Sequence, residues 1–177
     1  MGQHVRQLTG VSISRDLPCM AGQLGSALND SQGVHVSALL YFCGNYQVTF
    51  SSISIHDLVI NCESKPSDHT TACMSSVLAY AGGATAAVTN AVVMRNHVGS
   101  VVVVDNATVA ISDSTFHSNV GLVGAAVAVL PLSQLTVSCS DFTRNSVKGS
   151  GGAIFAHTST VRVAGSNFIG NVAMYGT

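Results

Sequence analysis

One spacing constrains this sequence more than any other feature: a Phe or aliphatic residue followed three positions later by Asn, recurring at near-constant intervals. Phe168 precedes Asn171, Phe142 precedes Asn145, and Phe116 precedes Asn119, with the same interval between successive copies. Val93 and Asn96 come before them at a slightly shorter interval, then Ile60 at a longer one, with Glu63 in the Asn position. Seven and five positions before each anchor lie small or aliphatic pairs: Val161 and Val163, Leu135 and Val137, Val109 and Ile111, Ala86 and Val88, Ile53 and Ile55. A small-small-apolar-apolar element repeats as well, as GGAI at 151, GAAV at 124, GSVV at 99 and SSVL at 75. A fixed period in this range, roughly 20–30 residues, marks a solenoid. Alternation within each unit has period two, so the units are strands. Leucine-rich repeats need Leu-x-x-Leu-x-Leu, which is missing. The expected fold is all-β: a right-handed parallel β-helix of about five recognisable coils.

Stacking gives each residue type a reason. Coils in such a solenoid rise about 4.8 Å, which sets every position over its counterpart. The pairs at seven and five before the anchor become inward columns, and each buried aliphatic contributes roughly 1.5–3 kcal/mol. Asn96, Asn119, Asn145 and Asn171 are expected to stack at a bend, where Asn tolerates left-handed backbone and its amide bonds to the amides above and below. A structural ladder is the stronger reading of this row, ahead of a ligand-binding one.

Residues 1–33 read as an N-terminal segment and cap, and 34–177 as the β-helix. Leu24 and Leu28, four apart, suit a short helix ending near Gly33. Such a helix would cover the open strand edges of the first coil. VHVSALLYF and YQVTF then read as first strands. The polar stretch CESKPSDHTTAC (62 to 73) is an inserted loop flanked by Cys62 and Cys73. These are either a disulfide in an oxidising compartment or ordinary buried thiols. The repeat breaks off at NVAMYGT, where the next small-residue motif is due. The chain is then a piece of a longer repeat protein, or its uncapped last coil makes an end-to-end contact with a partner.

Composition excludes several functions. Charged residues make up only 8% and the net charge is −1, so the basic face that a nucleic-acid binder needs is lacking. At 47% apolar the chain is not of the disordered class. VGLVGAAVAVLPL (120 to 132) is too short to span a bilayer, and it contains Pro131. The first residues show no apolar signal-peptide core, and Arg6 stands where a myristoylation signal wants Ser or Thr. Five cysteines without a C-x-x-C pair, and seven histidines without an i, i+4 pair, indicate no metal site and no cofactor. Asn29 and Asn106 lie in N-x-[ST] glycosylation sequons.

GGAI followed by Phe-x-x-Asn resembles the repeat of chlamydial polymorphic outer-membrane proteins, over roughly residues 75 to 171. Similar repeats occur in other right-handed β-helix proteins of the pectin-lyase-like superfamily. The resemblance implies an adhesion-type module, secreted or at a cell surface, whose partners are carbohydrate or surface proteins. The family's signal peptide and C-terminal membrane barrel have no counterpart in these residues.

Because many β-helices cut acidic polysaccharides, an enzyme has to be weighed. Such chemistry needs clustered carboxylates, or calcium-binding Asp residues with an Arg base. Three before the anchor stand Asp57, Asn90, Asp113, Cys139 and Gly165, which sets Asp57 and Asp113 two coils, about 10 Å, apart. Arg95 and Arg144 share the position two after the anchor, with Ser118 between them. His56 and Asp57, adjacent in a strand, would face opposite sides. The residues favour a non-catalytic binding or scaffold module. The alternative is a polysaccharide lyase or glycoside hydrolase of the same superfamily, with Asp57, Asp113, Arg95 and Arg144 as its candidate catalytic set.

Overall fold

The computed structural model describes residues 11–14, 27–29, 35–45, 47–58 and 73–175. Two strands, β1 (Val11–Ser14) and β2 (Ala27–Asn29), precede the solenoid. The first coil is β3 (His35–Cys43), β4 (Gln47–Ser51) and β5 (Ser54–His56); the second is β6 (Cys73–Ala81), β7 (Thr85–Thr89) and β8 (Val92–Met94). The third coil adds a fourth short strand: β9 (Ser100–Asp105), β10 (Thr108–Ser112), β11 (Thr115–His117) and β12 (Val120–Gly121). The fourth is β13 (Val127–Val129), β14 (Gln134–Ser138), β15 (Asp141–Thr143) and β16 (Ser146–Val147). The last is β17 (Ile154–Ala156), β18 (Thr160–Ala164), β19 (Asn167–Ile169) and β20 (Val172–Ala173).

Equivalent strands of successive coils pair in parallel, forming a first sheet β4-β7-β10-β14-β18, a second β5-β8-β11-β15-β19, a third β3-β6-β9-β13-β17 and a short fourth β12-β16-β20. The five stacked coils form an all-β parallel solenoid, about four full turns from β3 to β17. At its N-terminal end β1 pairs antiparallel with β4, and β2 antiparallel with β3. The edges of the first and third sheets are therefore covered there by strands. The helix expected around Leu24 and Leu28 is corrected at its described part, because Ala27–Asn29 are extended and bonded to β3.

Register in the last four coils is the one the repeat implies. Ala86, Val109, Leu135 and Val161 form one column, and Val88, Ile111, Val137 and Val163 the next. Val93, Phe116, Phe142 and Phe168 form the wide column. The Phe rings stack nearly parallel, with centroids 5.0 and 4.8 Å apart, which is the rise of one coil. Leu78, Val102, Val127 and Ile154 align the small-residue motifs. Gly124 and Gly151 in these motifs have φ of +53° and +73°. A Cβ at Gly151 would come within 2.5 Å of the Ile154 carbonyl oxygen, and one at Gly124 would collide with the Val127 carbonyl. Small residues are thus a steric requirement of this bend.

The first coil departs from the expected frame. Val48 and Phe50 occupy the inward columns beside Ala86 and Val88, and Ile55 pairs with Val93. Ile53 and Ile55 are therefore not the inward pair, and the anchor is Ile55 in place of Ile60. The whole frame lies five positions earlier, so the insertion before Val93 is longer than the repeat implied. Both frames satisfy the alternation, and Leu58, not an Asn, stands three after the true anchor.

Candidate functional site

Each bend joining the strands follows one rule. A residue in left-handed conformation comes first, and the next residue turns inward: Ile53 and Leu58 in the first coil, and Ala, Ser or Asn in the later ones. After the first sheet the left-handed residues are Ser52, Asn90, Asp113, Cys139 and Gly165; after the second they are Asp57, Arg95, Ser118, Arg144 and Gly170. Before the first sheet stand Gly83, Asn106, Leu132 and Thr158. Left-handed backbone costs a non-glycine residue roughly 1–2 kcal/mol. Where the inward residue is Asn, or Ser114, Ser133, Ser140 or Ser166, its side-chain hydrogen bonds offset that cost; where it is Ala, Ile or Leu, apolar burial does.

The asparagines are these inward residues, one position after the left-handed backbone expected of them. Asn96, Asn119 and Asn145 are fully buried. The Asn96 side-chain NH2 donates to Asn119 Oδ1 at 2.9 Å, Asn119 to Asn145 at 3.0 Å, and Asn145 to Asn171 at 3.0 Å. Each Oδ1 also accepts a backbone N–H from the preceding coil, and at the N-terminal end Asn96 Oδ1 accepts from Leu58 N at 3.1 Å. Every Asn-to-Asn bond points the same way along the stack, while the other side-chain N–H of each Asn donates back to a carbonyl of the preceding coil: Ile55, Val93, Phe116 and Phe142. A second ladder escaped the sequence reading: Ser114, Ser140 and Ser166 Oγ each accept the backbone N–H of the coil before, all at 3.1 Å. Its only signal was Ser two before Phe116 and Phe142, hidden in a Ser-rich chain.

The proposed catalytic set is rearranged by the first-coil register. Asp57 stands two after Ile55 and so shares a column with Arg95, Ser118 and Arg144; Asp113 belongs to a different bend. The two carboxylates are therefore not stacked in one column, and the two-coil relation expected of them is withdrawn. Arg95 Nε and Nη2 donate to the two Asp57 oxygens at 2.7 and 2.9 Å, a bidentate pair. His56 Nδ1 lies 2.8 Å from Asp57 Oδ2, because left-handed backbone at Asp57 brings the two side chains together where a strand would part them. Hydrogen bonds from Arg95, then from His56, hold the Asp57 carboxyl well below the usual carboxylate range, and the same pairing raises Arg95. An acid so stabilised as its anion is a poor general base. Arg144 is two coils beyond Arg95 on the same exposed column.

Other candidate positions lie apart from this cluster. Asn106 is exposed at its bend and Asn29 lies in β2. Cys62 is outside the described residues and Cys73 begins β6; Cys139 is a free, exposed thiol. Among the described residues no group of three His, Cys, Asp or Glu converges as for a metal ion, and no helix is long and apolar enough to cross a membrane.

The three long sheets present different outer faces. The third offers no surface along its middle, since its outward column Ala79, Val103 and Ala128 is as buried as its inward one. The second carries His56, His117 and Asp141, with Asp57, Arg95 and Arg144 at its edge. The first is open and neutral over four strands. Its outer columns are Gln47, Thr85, Thr108 and Gln134; Thr49, Ala87, Ala110 and Thr136; and Ser51, Thr89, Ser112 and Ser138. All twelve are exposed or half-buried, and Arg162 on β18 ends the neutral run. Compared with known proteins, the chain matches no family model, no curated protein and no solved structure.

Proposed function

We propose that this chain is a non-catalytic binding module of the pectin-lyase-like type, adhesive or scaffolding, working at a cell surface or outside the cell. The observation that carries the reading is the open outer face of the first sheet, a regular neutral array held by two internal ladders. Rigid, repeated and chemically mild surfaces suit recognition of extended partners, and a neutral polar residue recurs at each of four coils in two of the three outer columns. The carboxylate best placed to act, Asp57, is committed to Arg95 and His56. Glycan-array binding beside a lyase and hydrolase screen on acidic polysaccharides tests the reading. Retention of a glycan without turnover is the expected result, and release of unsaturated or reducing ends would overturn it in favour of the enzyme.

A further inference from the structure

Resting on that reading, we infer that the outer face of the first sheet is a binding site for a neutral, extended β-1,4-linked polysaccharide lying along the solenoid axis. Its geometry is a shallow trough. Ala87 and Ala110 form the floor over two coils, with Thr85 and Thr108 on one rim and Thr89 and Ser112 on the other. The rims are four positions apart on each strand, about 13 Å, which leaves room between their side chains for one sugar chain. Along the axis each rim presents one hydroxyl per coil, about 4.8 Å apart. An extended β-1,4-linked chain advances by nearly that distance per sugar, so successive rings meet successive hydroxyls in register. The alanine methyls offer an apolar floor to the C–H face of the rings.

Charge selects among glycans. The trough contains no ionisable side chain, so a uronate-bearing chain would lose the hydration of its carboxylates and meet no counter-charge. Neutral hydroxyls lose less and regain hydrogen bonds at the rims. The second sheet's outer face, with its histidines and ion pair, lacks this uniformity.

The test is sedimentation of the purified chain with microcrystalline cellulose, with chitin, and with insoluble calcium polygalacturonate as the acidic control. Ala110→Arg fills the trough without touching the core, and Thr143→Arg places the same charge on the second sheet. Retention by cellulose or chitin over polygalacturonate is expected, with Ala110→Arg losing about tenfold in affinity, roughly one hydrogen bond's worth, and Thr143→Arg unchanged. Both variants are checked for an unaltered melting curve; Ala110→Ser replaces Ala110→Arg if that variant unfolds, with a smaller loss expected. Equal weakening by both surface variants, or preference for polygalacturonate, would place the site elsewhere and overturn the inference while leaving the binding-module reading intact. No retention on either neutral glycan overturns the inference as well. Cleavage of any of the three overturns the reading beneath it.

Discussion

Replacing Asn119 by Ala removes one rung from the middle of the asparagine ladder. Asn119 Oδ1 accepts both the backbone N–H and the side-chain N–H of Asn96, at 3.2 and 2.9 Å, and Asn96 is fully buried. Both donors lose their acceptor in Asn119→Ala, and the Val93 carbonyl and Asn145 Oδ1 each lose a donor. A buried donor left unpaired costs about 1–3 kcal/mol, so the two from Asn96 give about 2–6 kcal/mol. That is a large fraction of the roughly 5–15 kcal/mol typical of a folded domain. Asn171→Ala breaks the same two bonds to Asn145, but Asn171 is half-exposed on the last described coil. Water can replace it there, and the expected cost is about 0.5–1.5 kcal/mol. Urea unfolding of both variants, with the m-value checked for two-state behaviour, measures the difference. Equal losses, or an Asn119→Ala protein within about 1 kcal/mol of the parent, would refute the buried-ladder reasoning.

Three further outcomes follow from the same structure. Tyr80 is fully buried, its hydroxyl has no partner among the described residues, burial pushes its pKa far above the usual range, and its ring stacks on Phe42 at 5.6 Å; Tyr80→Phe should be neutral or raise stability by about 1 kcal/mol in urea unfolding, and a clear loss would reveal a partner for the hydroxyl. Leu132 is 78% exposed at φ +62°, so Leu132→Gly should stabilise the fold by up to about 1 kcal/mol, and a lower melting temperature would count against strain at the bends. The Asp57 carboxyl, followed by NMR, should titrate below the ordinary Asp range and move back toward it in Arg95→Gln. Because its folded pKa is depressed, the stability it contributes is present above the ordinary Asp pKa and lost as pH falls toward the folded value. An identical titration in both proteins would remove the ion pair from solution.

Legibility varied along the chain for physical reasons. From Val93 onward the paired Phe or Val and Asn anchors determine register, because a buried ring and a buried amide ladder tolerate few substitutes. In the first coil Leu58 takes the ladder position and contributes only its backbone N–H, so the chemical marker vanishes although the geometry persists. That loss displaced the frame and made stacked partners of Asp57 and Asp113. Leu24 and Leu28 misled because one pair four apart fits a helical or a strand period equally. The bends after the first sheet stayed invisible, since Ser52, Asn90, Asp113, Cys139 and Gly165 share a backbone conformation and no side-chain chemistry. The alanine floor of the neutral trough became visible only with the stacking of β7 on β10.

The one-way ladder also gives the chain a direction of assembly. The backbone N–H of Asn96 and one of its two side-chain N–H groups find their acceptor only when Asn119 arrives; Asn119 depends in the same way on Asn145, and Asn145 on Asn171. Each coil is completed by the residues that emerge next from a ribosome or a translocation pore. A nascent chain winding in this order leaves a single rung open at its growing end, and closes it with the following turn.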